Sequence, residues 1–287
     1  MSIEKRYDFV MLFDVENGNP NGDPDMGNTP RIDIETGHGY ITDVCIKRKI
    51  RNYVELVKEG EPRFNILVKP DRSLNSKFTE AYKACGLKTG AKDKNADDIK
   101  TARDYMCNNY FDVRTFGMVM STGDSCSCGI VRGPVQINFA RSISPVNCLN
   151  VTITRQAKTN DKRQETGPTE IGKKSVIPYA LYRAEGYVSA AQAKKITGFD
   201  EADLELLWTA IINMFENDHS AARGKMCMRA LYVFEHNSLL GNARSEVLFD
   251  KIQVEEKSPV TPCRHFSDYT ISVDEAMPEG VRLIRKL

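Results

Sequence analysis

Arg6 to Val15 reads RYDFVMLFDV, and after Glu16 the chain breaks into NGNPNGDPD, Asn17 to Asp25. The first stretch is apolar and rich in β-formers, and the second is a run of strong turn residues. A strand therefore feeds a long loop. Beyond it Thr42 and Asp43 offer an N-cap, and Val44, Ile50, Tyr53, Val54 and Val57 recur at helical spacing until Gly60 supplies a stop. Lys47, Arg48 and Arg51 then fall on the first three turns of an amphipathic helix, off its buried stripe. A short strand over Arg63 to Lys69 and helices over Leu74 to Cys85 and Ala96 to Tyr110 follow, the helices split by the Lys/Asp/Gly-rich segment 86–95. Residues 60–112 read as a helical, finger-like insertion.

Past Arg114 the period changes. Val131, Val135, Ile137 and Phe139 alternate, as do Leu149, Val151 and Ile153, and the two runs are candidates for a central antiparallel pair. From Arg155 to Lys174 the only large aliphatic residue is Ile171, so this stretch cannot build a core and projects as an arm over 155–175. Val176 to Val188 returns as a strand. Asp200 and Asp203 cap a helix that buries Leu204, Leu207, Trp208, Ile211, Ile212 and Phe215, and Met228 to Glu235 is the next strand. The tail adds edge strands around Val247 to Val254, Tyr269 to Val273 and Val281 to Ile284. The order β, α, β, β, α, β specifies an α+β chain, a modified ferredoxin-like (RRM-type) domain spanning 1–287 with insertions and a protruding hairpin.

The 40 Lys and Arg nearly balance 39 Asp and Glu, yet the charges are separated along the chain. Asp14 to Glu35 has six acids against Arg31 alone; Val44 to Val54 has four bases and no acid; Arg141 to Lys195 has ten bases and four acids. Separated basic segments in a balanced chain suit a defined groove for a polyanion better than a cationic coat. A 41% hydrophobic and 28% charged composition excludes collagen-like, coiled-coil and disordered chains. No stretch approaches the ~18 apolar residues of a membrane span, and Glu4, Lys5, Arg6 and Asp8 stand where a signal peptide needs its apolar run. The expectation is a cytoplasmic protein with no membrane partner. Its eight cysteines then read as reduced thiols, and Cys126-Ser127-Cys128 is a weak metal signal because His38, His219, His236 and His265 are scattered.

No P-loop, G-x-S-x-G or G-x-G-x-x-G is present. The acidic loop offers Asp23, Asp25 and Asp33, with His38 as a base, to a metal-dependent endoribonuclease. Its spacing matches no calcium loop, however, and Asn/Gly/Pro turns need such residues for geometry alone. The aromatic RRM signature is also missing, so a nucleic acid would be held through its phosphates. Candidate contacts are Lys47, Arg48 and Arg51, Arg114 beside Phe116-Gly117, Arg132, Arg141, and Arg155, Lys158, Lys162, Arg163, Lys173 and Lys174 of the arm. A third reading is an oligomeric scaffold whose basic segments bind acidic protein surfaces.

FDVENGNPNGDPD (Phe13 to Asp25), PRID (Pro30 to Asp33), ITDVCIKRKIRNYV (Ile41 to Val54), DVRTFG (Asp112 to Gly117) and RGPVQINFARSISPV (Arg132 to Val146) together resemble the Cas-seven family of CRISPR-associated backbone subunits, in its subtype I-C form. The resemblance runs from about Tyr7 to the final strands. It implies an RRM palm with finger-like insertions and a thumb. Copies would stack along a CRISPR RNA in a Cascade complex with a Cas-five-type cap, a large subunit and small subunits, holding the guide open to target DNA. Carried onto this chain, the RNA-gripping palm helix is Thr42 to Val54, with Lys47 and Arg51 first and Arg48 next, and the thumb is Arg155 to Lys174. In subtype I-C the Cas-five-type subunit processes the guide, which implies a noncatalytic chain without a cofactor. Some relatives of other CRISPR types cut RNA with an acidic loop residue and a metal, which keeps the Asp14 to Glu35 loop in view.

Overall fold

The computed structural model describes residues 1–89, 95–121, 126–154 and 171–287. Strand β1 (Tyr7–Gly18) runs through the middle of an eight-stranded antiparallel sheet, ordered β14 (Val281–Arg285), β11 (Lys225–His236), β1, β10 (Ile171–Val188), β8 (Ala140–Pro145), β4 (His38–Ile41). Strands β7 (Val135–Ile137) and β9 (Leu149–Thr154) also pair with β10. Three two-stranded ribbons complete the set: β2 (Gly22–Asp23) with β3 (Thr29–Pro30), β5 (Gly117–Met120) with β6 (Gly129–Arg132), and β12 (Ile252–Glu256) with β13 (Tyr269–Val273).

β1 is buried on both faces, which is why its sequence is an apolar run rather than an alternation. Tyr7, Phe9, Met11, Phe13 and Val15 point to one side, against helices α1 (Asp43–Val57) and α5 (Glu201–Asn213). Val10 and Leu12 point to the other, where Leu248 and Phe249 of helix α6 (Ser245–Phe249), Ile252 and Tyr269 cover them. The sheet face opposite α1 and α5 is therefore closed by the C-terminal segment.

Helix α5 follows the sequence closely. Asp203 N donates to Asp200 Oδ1 at 3.0 Å and Asp200 N to Asp203 Oδ2 at 3.1 Å, a reciprocal cap contributing about 1 kcal/mol. Leu204, Leu207, Trp208 and Ile211 are buried, with Trp208 edge-on to Phe9 at 5.3 Å. In α1 the buried stripe is rotated from the expected one: Ile46, Lys49, Ile50 and Val54 face the core, while Val44 and Val57 are exposed. Lys49 belongs to that face because its ammonium pairs with Asp218.

Three further expectations are corrected, and one is refined. Arg63 to Lys69 is no strand, having only an isolated bridge from Asn65 to Tyr110; the buried Asp112 carboxylate takes the Leu67 and Val68 N–H groups, at 2.9 and 3.1 Å, that a neighbouring strand would have taken. β7 and β9 do not pair with each other, because β10 is long enough to receive β7 at Gly186–Val188 and β9 at Ile171–Val176. Lys173 and Lys174, at the end of the expected arm, lie in β10 where it pairs with β9 as one side of a hairpin. Val247 falls in α6, and the strand begins only at Ile252.

Helices α2 (Leu74–Ala84), α3 (Ala96–Asn109) and α4 (Phe111–Phe116) share a second core with β5 and β6, running from Leu67 to Val131. The insertion thus packs as a unit past residue 112. Cys126 and Cys128 are both buried in it, and burial pushes the Cys128 thiol up to about 12. Among the described residues no helix is long and apolar enough to cross a membrane.

Candidate nucleic-acid interface

The turn-rich loop after β1 is tied down on two sides. Asn19 N donates to Ala222 O at 2.8 Å, and a Cβ on Gly18 would lie 1.8 Å from Arg223 O, so only glycine lets β1 end against the 218–224 turn. On the other side, Asn21 Oδ1 accepts from both Thr42 N and Thr42 Oγ1 at 3.0 Å, and Cys45 Sγ approaches Pro20 O at 3.5 Å. Thr42 has the extended backbone of an N-cap, but its hydroxyl holds the loop rather than its own helix. Burial raises the Cys45 thiol above its ordinary value, with Lys49 opposing, so it stays protonated at neutral pH.

Loop, helix start and turn enclose a groove of about 520 Å³ lined by Arg31, Thr42, Arg48, Lys49 and Arg223. A second, of about 610 Å³, lies between residues 26–29 and the β9–β10 hairpin and carries Lys173 and Lys174. Asn19, Asn28 and Ala222 line both, so the two adjoin. Among the described residues lining them are six cations and no carboxylate. The carboxylates sit behind: Asp23 pairs with Arg31 at 3.2 Å, and Asp218 pairs with Lys49 and Arg223. Such an arrangement presents positive potential to the channel and attracts a polyanion without reading bases.

The family model described as CRISPR-associated protein Cas7 matches residues 5–274. The chain belongs to the Cas7 family. It is 28% identical over 236 residues to a CRISPR-associated protein Cas7 of Haloferax volcanii, a match covering 74% of this chain and 66% of that one, so it spans just under two thirds of that Cas7's length. Solved structures similar to it include a chain of a CRISPR RNA-guided surveillance complex in a pre-nicking state, at 14% identity and a TM-score of 0.47, covering 80% of this chain and 78% of that one. Another belongs to a type III-B Cmr-beta complex bound to cognate target RNA, at 13% identity and a TM-score of 0.43, covering 80% and 61%.

Within this Cas7 fold the sequence-derived residues separate into groups. Thr42 and Arg48 line the first groove, and Lys173 and Lys174 the second. Lys47 and Arg51 occupy an adjacent face of α1, over the Phe116 ring at 5.6 and 5.2 Å, where Asp43 and Asp112 neutralise them at 2.9 and 2.8 Å. Arg114 is not a surface cation: it is 1% exposed, and its guanidinium clamps Asp203 with bonds of 2.8 and 2.7 Å while donating to Cys107 O. Arg132 is exposed on β6, and Arg141 on β8 lies beside the stacked Tyr40 and Phe139 rings. Arg155, Lys158, Lys162 and Arg163 lie outside the described residues.

Asp14, Asp23 and Asp33 are likewise engaged, Asp23 by Arg31. Asp14 belongs to β1, not the loop, and its buried carboxylate accepts from Tyr179 Oη and Arg229 Nε, both at 2.8 Å. Hydrogen bonds from the Thr36 hydroxyl and the Glu35 N–H hold the Asp33 carboxyl below its usual range. Among the described residues no three His, Cys, Asp or Glu side chains come together as a metal site. Asn19, Arg31, Lys49 and Arg223, none of them among the candidate contacts, also line the groove; Asn19 lies in the turn motif, whereas nothing local in the sequence marks Arg223.

Proposed function

We propose that this Cas7 chain is a noncatalytic subunit that binds the backbone of a CRISPR RNA without regard to sequence. It polymerises along the guide and presents it for pairing with target DNA in antiviral defence. The assembly is a cytoplasmic type I-C Cascade with Cas-five-type, large and small subunits. The observation carrying this reading is the pair of adjoining grooves lined by Arg31, Arg48, Arg223, Lys173 and Lys174. A channel of phosphate-holding cations fixes a strand's path while base pairing supplies specificity.

The strand order β11-β1-β10-β8, with α1 and α5 on one face, supports a modified ferredoxin-like palm. Because α6, β12 and β13 cover the opposite face, bases find no open sheet to stack on, which favours grip through phosphates. Co-expression with the Cascade partners, followed by the 260/280 nm absorbance ratio and sizing and sequencing of any bound nucleic acid, tests the reading. The expected result is one guide-length RNA protected in a stoichiometric multi-copy complex. Nucleic-acid-free monomers would refute it, and RNA cleavage on adding a divalent metal would favour an endoribonuclease using Asp23, Asp25, Asp33 or His38 instead.

A further inference from the structure

We propose that Asn19 accepts a hydrogen bond from a ribose 2′-hydroxyl and thereby makes the channel prefer RNA to DNA of the same sequence; this rests on the guide-binding reading above. Asn19 is 8% exposed, and its Oδ1 has no hydrogen-bond partner among the described residues. Its Nδ2 donates to Asn28 O at 2.7 Å, which fixes the amide orientation, since only the NH₂ can bond a carbonyl. The unpaired atom is therefore the acceptor. Asn19 stands where the two grooves join, lining both.

A second buried atom without a partner among the described residues, Arg31 Nε, belongs to the wall of the same groove, its Nη1 being engaged by Asp23. The two orphans call for opposite partners. A phosphate offers only acceptors, so it can satisfy Arg31 Nε but never Asn19 Oδ1. That oxygen needs a donor from the ligand. On a nucleotide the donors are base N–H groups, which vary with sequence, and the 2′-hydroxyl, which is on every ribose and absent from deoxyribose. A sequence-independent channel selects the second. Oδ1 is buried in this structure, so the proposed pairing requires the Asn19 to Arg31 loop to move as the ligand enters. Leaving a buried acceptor unpaired is unfavourable, so satisfying it strengthens binding.

The test uses single-stranded oligonucleotides of one sequence with ribose, deoxyribose or 2′-fluoro sugars, titrated against the full chain and its Asn19→Ala variant. The 2′-fluoro group keeps a ribose-like pucker but cannot donate. One hydrogen bond corresponds to about a fivefold change in affinity per engaged site. The wild type should bind ribose about fivefold more tightly than either other sugar. Asn19→Ala should lose about fivefold for ribose alone, which erases the preference; a purely structural role would weaken all three alike. Equal wild-type affinity for ribose and 2′-fluoro oligonucleotides overturns the inference and leaves guide binding standing, even if the variant fails to fold. A preference that follows the bases rather than the sugar also overturns it. Failure to bind any of the three overturns the guide-binding reading as well.

Discussion

Replacing Arg114 with methionine, which keeps the volume and removes the charge, is expected to destabilise the protein by about 3–5 kcal/mol, the usual cost of breaking a buried ion pair. The geometry explains the size. Asp203 is fully buried and would keep only Arg63 Nη2 at 2.9 Å and Asp200 N at 3.1 Å, while the carbonyls of Cys107 and Arg63 would lose the donors now 2.7 and 3.2 Å away. Arg63 compensates incompletely because its own side chain is 40% exposed. With a urea slope of roughly 3 kcal/mol per M for a chain of this size, the unfolding midpoint should fall by about 1–1.7 M. Arg114→Lys should fall between, since a point donor cannot serve both Asp203 oxygens and the carbonyls. Adding Asp203→Asn, which keeps an acceptor for the Asp200 N–H, should recover part of the loss. An unchanged midpoint together with weakened RNA binding would refute this account and return Arg114 to the role its sequence context suggested.

Arg48→Ala, and Lys173→Ala with Lys174→Ala, should weaken RNA binding equally across sequences and flatten the salt dependence by about one unit of slope per lost contact; a change in sequence preference would contradict phosphate binding. Acid should destabilise the fold. The hydrogen bond from Lys77 holds Asp71 at about 2, and Asp200 lies below its ordinary value because the Asp203 N–H and Arg63 outweigh the opposing effect of burial. Depressed carboxylates stabilise above the unfolded pKa near 4 and lose that contribution as pH falls through their folded values, so the thermal midpoint should drop between about pH 4 and 2. A midpoint that rose on acidification would exclude this. Burial pushes the Cys107 and Cys128 thiols up to about 11 and 12, so both should resist a thiol reagent at pH 8 in the folded protein and react once it is denatured; rapid native labelling would show that the second core opens.

Periodicity exposed the elements and, less well, their faces. The Asp200 and Asp203 cap and the Leu204, Leu207, Trp208, Ile211 stripe were plain because every signal for α5 lies within one window of sequence. In α1 the same reasoning misplaced the stripe, since the pairing of Lys49 with Asp218, 169 residues away, decides which face is buried. Partners were less legible still. Alternation in β7 and β9 said nothing of β10 receiving both, and the run at Arg63 to Lys69 was diverted from a ladder by one carboxylate, Asp112. The same blindness governs the channel: Arg48, Lys173 and Lys174 were visible as charges, but Arg31 was hidden among acids, and Arg114 looked like a surface cation because Asp203 is remote in sequence.

β10 belongs to two ladders without interruption. From Ile177 to Val188 it is pinned to β1 in the middle of the sheet, and from Ile171 to Val176 it carries β9 outside it. Force applied to the protruding hairpin therefore runs lengthwise along one continuous strand. The hydrogen bonds to β1 lie across that direction, so they share the load in shear instead of opening one after another. Tension on the described part of the hairpin is thus passed along β10 into the centre of the sheet.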